Sequence, residues 1–129
     1  MSLTKVTEQD IESVSKQLGR PVRDIVAIAA RCVCGNPVVV QTKPRLEDGT
    51  PFPTLYYLTL PAATSAVSTL EANGLMLELQ ERLAQEPELA AAYAAAHESY
   101  LADRKLLGEV DEIDGISAGG MPGRIKCLH

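Results

Sequence analysis

The chain has 129 residues, 46% of them apolar, and twelve basic side chains against seventeen acidic, for a net charge of −5. That length supports one domain with a single modest core and excludes two. The acidic balance argues against nucleic-acid binding, which needs clustered Lys and Arg, whereas Arg20, Arg23, Arg31, Lys43 and Arg45 are scattered among acids and read as solvated surface. No run approaches the roughly 20 apolar residues of a membrane helix, and the opening "MSLTKVTEQD" has no apolar stretch after its lysine, so it does not read as a signal peptide.

Thr7 is a suitable N-cap, with Asp10 three residues on in a capping-box position. Ile11, Val14 and Leu18 follow at helical spacing before Gly19 and Pro21, which predicts a helix over 7–18. "GNP" at 35–37 marks a turn. The β-branched "VVVQT" and the aromatic "TLYYLTL" flank turn chemistry in "EDGTPFP". These signals predict an antiparallel three-stranded meander over 23–32, 37–43 and 54–60. On an extended first strand Arg23, Ile25, Ala27 and Ala29 share one side, with Val26 and Ile28 opposite.

From Pro61 the pattern turns helical. Ala66, Val67 and Leu70 lead to a stop at Asn73-Gly74, and Leu75, Leu79 and Leu83 line a second helix. Pro87 suits the first turn of a third, whose Leu89, Tyr93, Ala96, Tyr100, Arg104 and Leu107 form a stripe facing the core. His97 lies at its edge and reads as a packed or solvated histidine. "GEVDEIDGISAGGMPGRIKCLH" is a glycine-rich tail over 108–129, in which Glu109, Asp111, Glu112 and Asp114 lack the regular oxygen spacing of a calcium loop and read as a solvated acidic turn. The expected fold is α+β, one domain over 1–129. With much alanine, no tryptophan and only Phe52 as phenylalanine, its core is thin, and a metal or a second subunit would add useful stability.

The chemistry-bearing residues are concentrated in "RCVCGNP" and "KCLH". An odd count of three cysteines argues against a disulfide framework and fits a reducing cytoplasm. Cysteines two apart can turn both sulfurs to one side, and Gly35 gives the backbone freedom to bend. Cys127 and His129 repeat that spacing, so Cys32, Cys34, Cys127 and His129 form a Cys₃His set of a composition known for structural zinc. Zinc there would draw together segments about 95 residues apart, at a closure cost that grows only logarithmically, and would pin the tail to the first hairpin turn. Inert half-buried thiols are the plainer reading. A strained and easily reduced Cys-x-Cys disulfide is a third. For catalysis the one set of candidates is Cys127 with His129 beside the amides of Gly119 and Gly120, and neighbours two apart rarely reach nucleophile–base geometry.

Taken together, "TEQDI", "QLGRP", "RCVCGNP", "DGTPFPTLYYLTLP", "TLEANGLM", "EPELAAAYAAAHESYLADR" and "GISAGGMPGRIKCLH" resemble the bacterial, mainly actinobacterial, domain-of-unknown-function family numbered 501, over nearly the whole chain. The resemblance implies no mechanism. Members are often encoded beside enolase, a septum-formation-initiator-like protein and an exopolyphosphatase, which implies a cytoplasmic housekeeping or division-linked setting. Relatives continue past Cys-Leu-His with a histidine-bearing helix, and some carry a cysteine where this chain has Leu60, which leaves the fourth ligand open. The functional expectation is a non-enzymatic binding or accessory protein, stapled by zinc at the four residues, with a protein partner or a second copy of itself. The alternative is a hydrolase-like enzyme, zinc- or cysteine-dependent, using Cys127 and His129 with Cys32 and Cys34, and Asp48 or Glu47 as base.

Overall fold

The computed structural model describes residues 3–129. In chain order it contains β1 (Thr4–Lys5), α1 (Glu8–Leu18), β2 (Ile25–Arg31), β3 (Pro37–Thr42), β4 (Tyr56–Leu58), α2 (Pro61–Ala72), α3 (Leu75–Gln85), α4 (Pro87–Lys105) and one 3₁₀ turn at Asp111–Ile113. The fold is α+β, with four helices and one antiparallel sheet of order β1-β2-β3-β4. The expected three-stranded meander is present, and β1 adds a fourth strand by pairing Thr4 with Ile28 and Lys5 with Ala27. Two residues carry no readable alternation, so this strand had no signal of its own in the sequence. β4 is shorter than the expected 54–60, although Thr42 N–H to Leu55 O and Thr59 N–H to Val38 O extend its pairing at both ends.

Register explains the burial. Ile28 lies opposite Val40, and Val40 opposite Tyr57, so these three share one face. Ala27, Gln41 and Tyr56 share the other. Ala27, Ile28 and Ala29 are all buried. β2 is therefore covered on both sides, which an apolar run without alternation permits. α1 covers the first face, where Val14, Ile28 and Val40 form the core, with Val6, Leu18, Val22 and Ile25 packed around them. On the second face the Tyr100 hydroxyl accepts from Leu55 N–H at 2.5 Å, and Tyr56 and Tyr100 meet edge to face at 5.8 Å. The Tyr56 hydroxyl donates to Asp103 at 2.8 Å. Burial, then that carboxylate, pushes the Tyr56 phenol up to about 12.

α1 begins with the expected reciprocal cap: Asp10 N–H donates to Thr7 Oγ1 at 3.1 Å and Thr7 N–H to Asp10 Oδ2 at 3.0 Å. Gly19 closes the helix in the left-handed region, at φ 73°. Asp10 has a second partner that its local sequence does not suggest. Arg31, at the end of β2, grips both carboxylate oxygens, Nη1 to Oδ1 at 2.7 Å and Nη2 to Oδ2 at 2.9 Å. Its Nε donates to Thr4 Oγ1 at 3.1 Å and Nη1 to Gly35 O at 3.1 Å. Arg31 is thus a tie between β1, α1 and the β2–β3 turn, and the expectation of a merely solvated arginine is corrected here.

The Arg31 guanidinium holds the Asp10 carboxyl far below the usual carboxylate range, and the Thr7 hydrogen bonds add to that. A depressed folded-state value gives stability that is complete above the unfolded pKa of about 3.9 and is lost as pH falls below it. Urea titrations across the acid limb are therefore expected to show wild type losing more stability than Asp10→Asn, by about 2 kcal/mol. Parallel acid limbs would show that the pair contributes nothing to stability.

Candidate functional site

The β2–β3 turn is built by two backbone bonds, Cys32 N–H to Asn36 O at 2.9 Å and Gly35 N–H to Cys32 O at 2.9 Å, with Gly35 at φ 92°. Within it Cys32 and Cys34 are joined by a disulfide, their Cα atoms 5.3 Å apart. The odd cysteine count argues against a disulfide framework and inert thiols are the plainer reading from sequence; for Cys32 and Cys34 the structure instead has the local Cys-x-Cys disulfide that stood third. Closing so short a loop restrains the unfolded chain by only about 1.6 kcal/mol, roughly half the effect of a fifteen-residue loop. Val33 between them is fully exposed. Cys34 and Arg31 line a polar hollow of about 340 Å³, walled by Thr7, Gln9 and Ser13 of the α1 region.

The second thiol stretch lies in the tail, and the tail has its own anchors. The sequence suggests the 32–36 turn as its docking place; its hydrogen bonds run instead to the helices. Buried Arg104 donates to Pro53 O at 2.9 Å, Ile116 O at 2.6 Å and Ile113 O at 2.7 Å. His97 Nδ1 and Ser117 Oγ are 2.6 Å apart, both side chains buried. Further along, the Tyr93 hydroxyl donates to Arg124 O and accepts from Lys126 N–H, and Gln80 Oε1 accepts from Ile125 N–H. At the end Glu71 Oε1 accepts from Leu128 N–H at 2.8 Å and lies 3.0 Å from His129 Nδ1. The amide first, and the imidazole second, hold the Glu71 carboxyl below its ordinary value.

Of the four expected metal ligands, Cys32 and Cys34 are therefore bonded to each other, Cys127 is an exposed free thiol, and His129 faces Glu71. Among the described residues, no three His, Cys, Asp or Glu side chains are grouped to hold a metal ion. Glu47 and Asp48 lie on the 43–55 connection, where Glu47 N–H donates to Asp24 and Asp48 accepts from Thr50 N–H. The acidic turn behaves as expected of a solvated one: Asp111, Glu112 and Asp114 are exposed, and Glu112 pairs with Arg45 at 2.8 Å. His97 is a packed histidine, serving to hold the tail.

A second site has no motif in the sequence. A groove of about 380 Å³ opens beside α1 on the first sheet face, lined by the apolar side chains of Val14, Leu18, Val22, Ile25, Val40, Leu46, Phe52 and Tyr57. Arg20, Arg23 and Asp24 stand on its wall. Its origin is geometric. A helix about 10 Å across cannot cover four strands spaced about 4.8 Å apart, so α1 leaves the Tyr57 side of the sheet bare. Asp24 adopts φ 64°, uncommon for a residue with a side chain. Lys43 N–H donates to its carbonyl and Glu47 N–H to its carboxylate, which fixes the groove wall. The Arg23 charge contributes to holding the Asp48 carboxyl low, after the Thr50 hydrogen bonds.

A family model described as "Protein of unknown function (DUF501)" matches residues 28–129. The chain belongs to this family. The matched span takes in the disulfide turn, the three later helices and the anchored tail, whereas β1 and α1, one wall of the groove, precede it. No curated protein and no solved structure matches the chain. Among the described residues, no helix is long and apolar enough to cross a membrane.

Two outcomes test this geometry. Arg104→Met strands three carbonyls and is expected to cost about 3 kcal/mol and to speed tryptic cleavage after Arg124; cleavage at the wild-type rate would show that the tail does not depend on Arg104. Reduction of Cys32–Cys34 is expected to lower unfolding stability by no more than about 1.6 kcal/mol, and collapse on reduction would show the bond to be a structural staple.

Proposed function

We propose that the protein is an accessory protein of the cytoplasm whose groove beside α1 is a non-catalytic docking site for an acidic amphipathic helix of a protein partner. The observation that carries this reading is the bare sheet face itself: Val40 and Tyr57 lie on the core-forming side, yet Tyr57 is 36% exposed. A second helix laid beside α1 would complete the layer, with apolar side chains entering between Leu18 and Phe52. Helix-in-groove recognition uses this arrangement, with anchors spaced along one helical face.

Charge selects the partner. The chain is acidic overall, but the groove wall presents Arg20 and Arg23, and among the described residues neither is in an ion pair. Carboxylates flanking the apolar face of an incoming helix would meet these guanidinium groups, which favour planar, two-pronged contacts with carboxylate. The hydrolase-like alternative, with Cys127 and His129 joined to Cys32 and Cys34, lacks comparable support, since the His129 imidazole is turned to Glu71 and Cys32 and Cys34 occupy each other.

Selection of displayed helical peptides against the full chain is expected to return amphipathic sequences with Asp or Glu beside the apolar face. Charge reversal in an R20E/R23E variant is expected to weaken them about tenfold or more by calorimetry, with a smaller difference at high salt. Peptides that bind equally to wild type, to R20E/R23E and to Phe52→Ala would place the docking surface elsewhere and defeat the reading.

A further inference from the structure

We infer that the Cys32–Cys34 pair is a thiol–disulfide exchange site that takes cysteine-bearing polypeptide segments as substrate, independently of the groove. The bond joins residues that the turn already holds together, since Cys32 N–H to Asn36 O and Gly35 N–H to Cys32 O close the same loop. It therefore cross-links nothing that the backbone leaves free. What it does provide is an accessible sulfur pair at a hairpin tip. Cys34 is exposed and lines the polar hollow, whereas Cys32 is half-buried and does not. An approaching thiol consequently meets Cys34 first.

Three features around the pair suit a polypeptide substrate. Val33, fully exposed between the two cysteines, offers an apolar contact. The hollow beside Cys34 is open and polar, with Gln9, Ser13 and Asn36 able to meet a backbone. The Arg31 guanidinium lines the same hollow as Cys34 and is held under the turn by its bond to Gly35 O, with Asp10 as its ion-pair partner. Cysteine reactivity follows access and positive surroundings.

The exchange is balanced. A substrate thiolate attacks Cys34 Sγ, forming a mixed disulfide as the Cys32–Cys34 bond breaks, and Cys32 Sγ leaves with the electron pair and takes up the proton that the substrate thiol gave to solvent. A second thiol of the substrate then attacks the substrate sulfur of the mixed disulfide and releases Cys34. The substrate dithiol is oxidised by two electrons to a disulfide and the Cys32/Cys34 pair is reduced to a dithiol. A low-molecular-weight disulfide returns the pair to its oxidised form by the same two steps in reverse.

The test uses the full chain carrying Cys127→Ser, a reduced dithiol peptide with a fluorescence readout, and glutathione disulfide as terminal oxidant. Peptide oxidation is expected to run about tenfold or more faster than with C32S/C34S in the same background. Trapping with an alkylating reagent and mass spectrometry is expected to find the mixed disulfide on Cys34. A single Cys32→Ser variant, mixed instead with the oxidised, disulfide-bonded peptide, is expected to accumulate the mixed disulfide on Cys34, because Cys32 is absent to resolve it by the reverse of the first step, a readout that does not require the double variant to fold. Exchange with free glutathione but none with the peptide would overturn the assigned substrate class. Oxidation no faster than with C32S/C34S, or a reduced pair that captures zinc and then fails to exchange, would overturn the site.

Discussion

The bidentate contact between Asp10 and Arg31 joins the start of α1 to the end of β2, while Gln17 ties the far end of the helix to the Pro37 and Thr59 carbonyls. Asp10 is already used at the start of α1, where it closes the cap on Thr7, and the same carboxylate receives the guanidinium from the end of β2. Arg31 also reaches Thr4 on β1 and the carbonyl of Gly35. This ion pair at one end, with Gln17 at the other and the Val14–Ile28–Val40 core between, fixes how α1 lies on the sheet, which in turn determines where the groove opens. It also sets the floor of the turn that carries Cys32 and Cys34. Such a pair is 6% exposed on the Asp10 side, and two-pronged Arg–carboxylate geometry with the remaining lone pairs satisfied is the arrangement in which the attraction outweighs desolvation.

The opposite face of the sheet is organised by α4. Its Tyr100 and Arg104 hold the connection before β4, its Asp103 holds Tyr56 of β4, and its Tyr93, His97 and Arg104 hold the tail. A glycine-rich segment buries little apolar area, so ordering it has to rest on polar contacts to its backbone. The side chains doing this are spread over α2, α3 and α4, from Glu71 through Gln80 to Arg104. Neither α2 nor α3 contains a buried residue, which leaves the tail as the strap across an otherwise loosely seated helical layer.

The two candidate surfaces lie at different ends of the same construction. The groove is a consequence of one short helix on a wider sheet. The thiol pair is a consequence of a turn supported from below by Arg31. They share α1: its Val14 and Leu18 face the groove, and its Asp10 and Ser13 face the hollow beside Cys34. α1 precedes the span matched by the family model, so both surfaces combine family residues with an element that the match does not include.

The sequence by itself determined the α+β class, the helices with the α1 cap, the β2–β3–β4 order and the family, because each rests on short-range signals or on a string of local motifs; that His97 is packed rather than solvated was decided by Ser117, twenty positions away. Asp10 was visible as a capping residue and Arg31 only as a stray base; their contact spans 21 positions, and no local pattern encodes such a partnership. The two-residue β1 was too short for any periodicity. Spacing showed that Cys32 and Cys34 could share a side, but a metal shell and a mutual bond both satisfy that spacing, and the tertiary structure gave them to each other while carrying His129 to Glu71. The groove, likewise, belongs to no stretch of sequence. It is the area of sheet left over after α1 has packed, and only the relative sizes of helix and sheet in three dimensions decide that there is any.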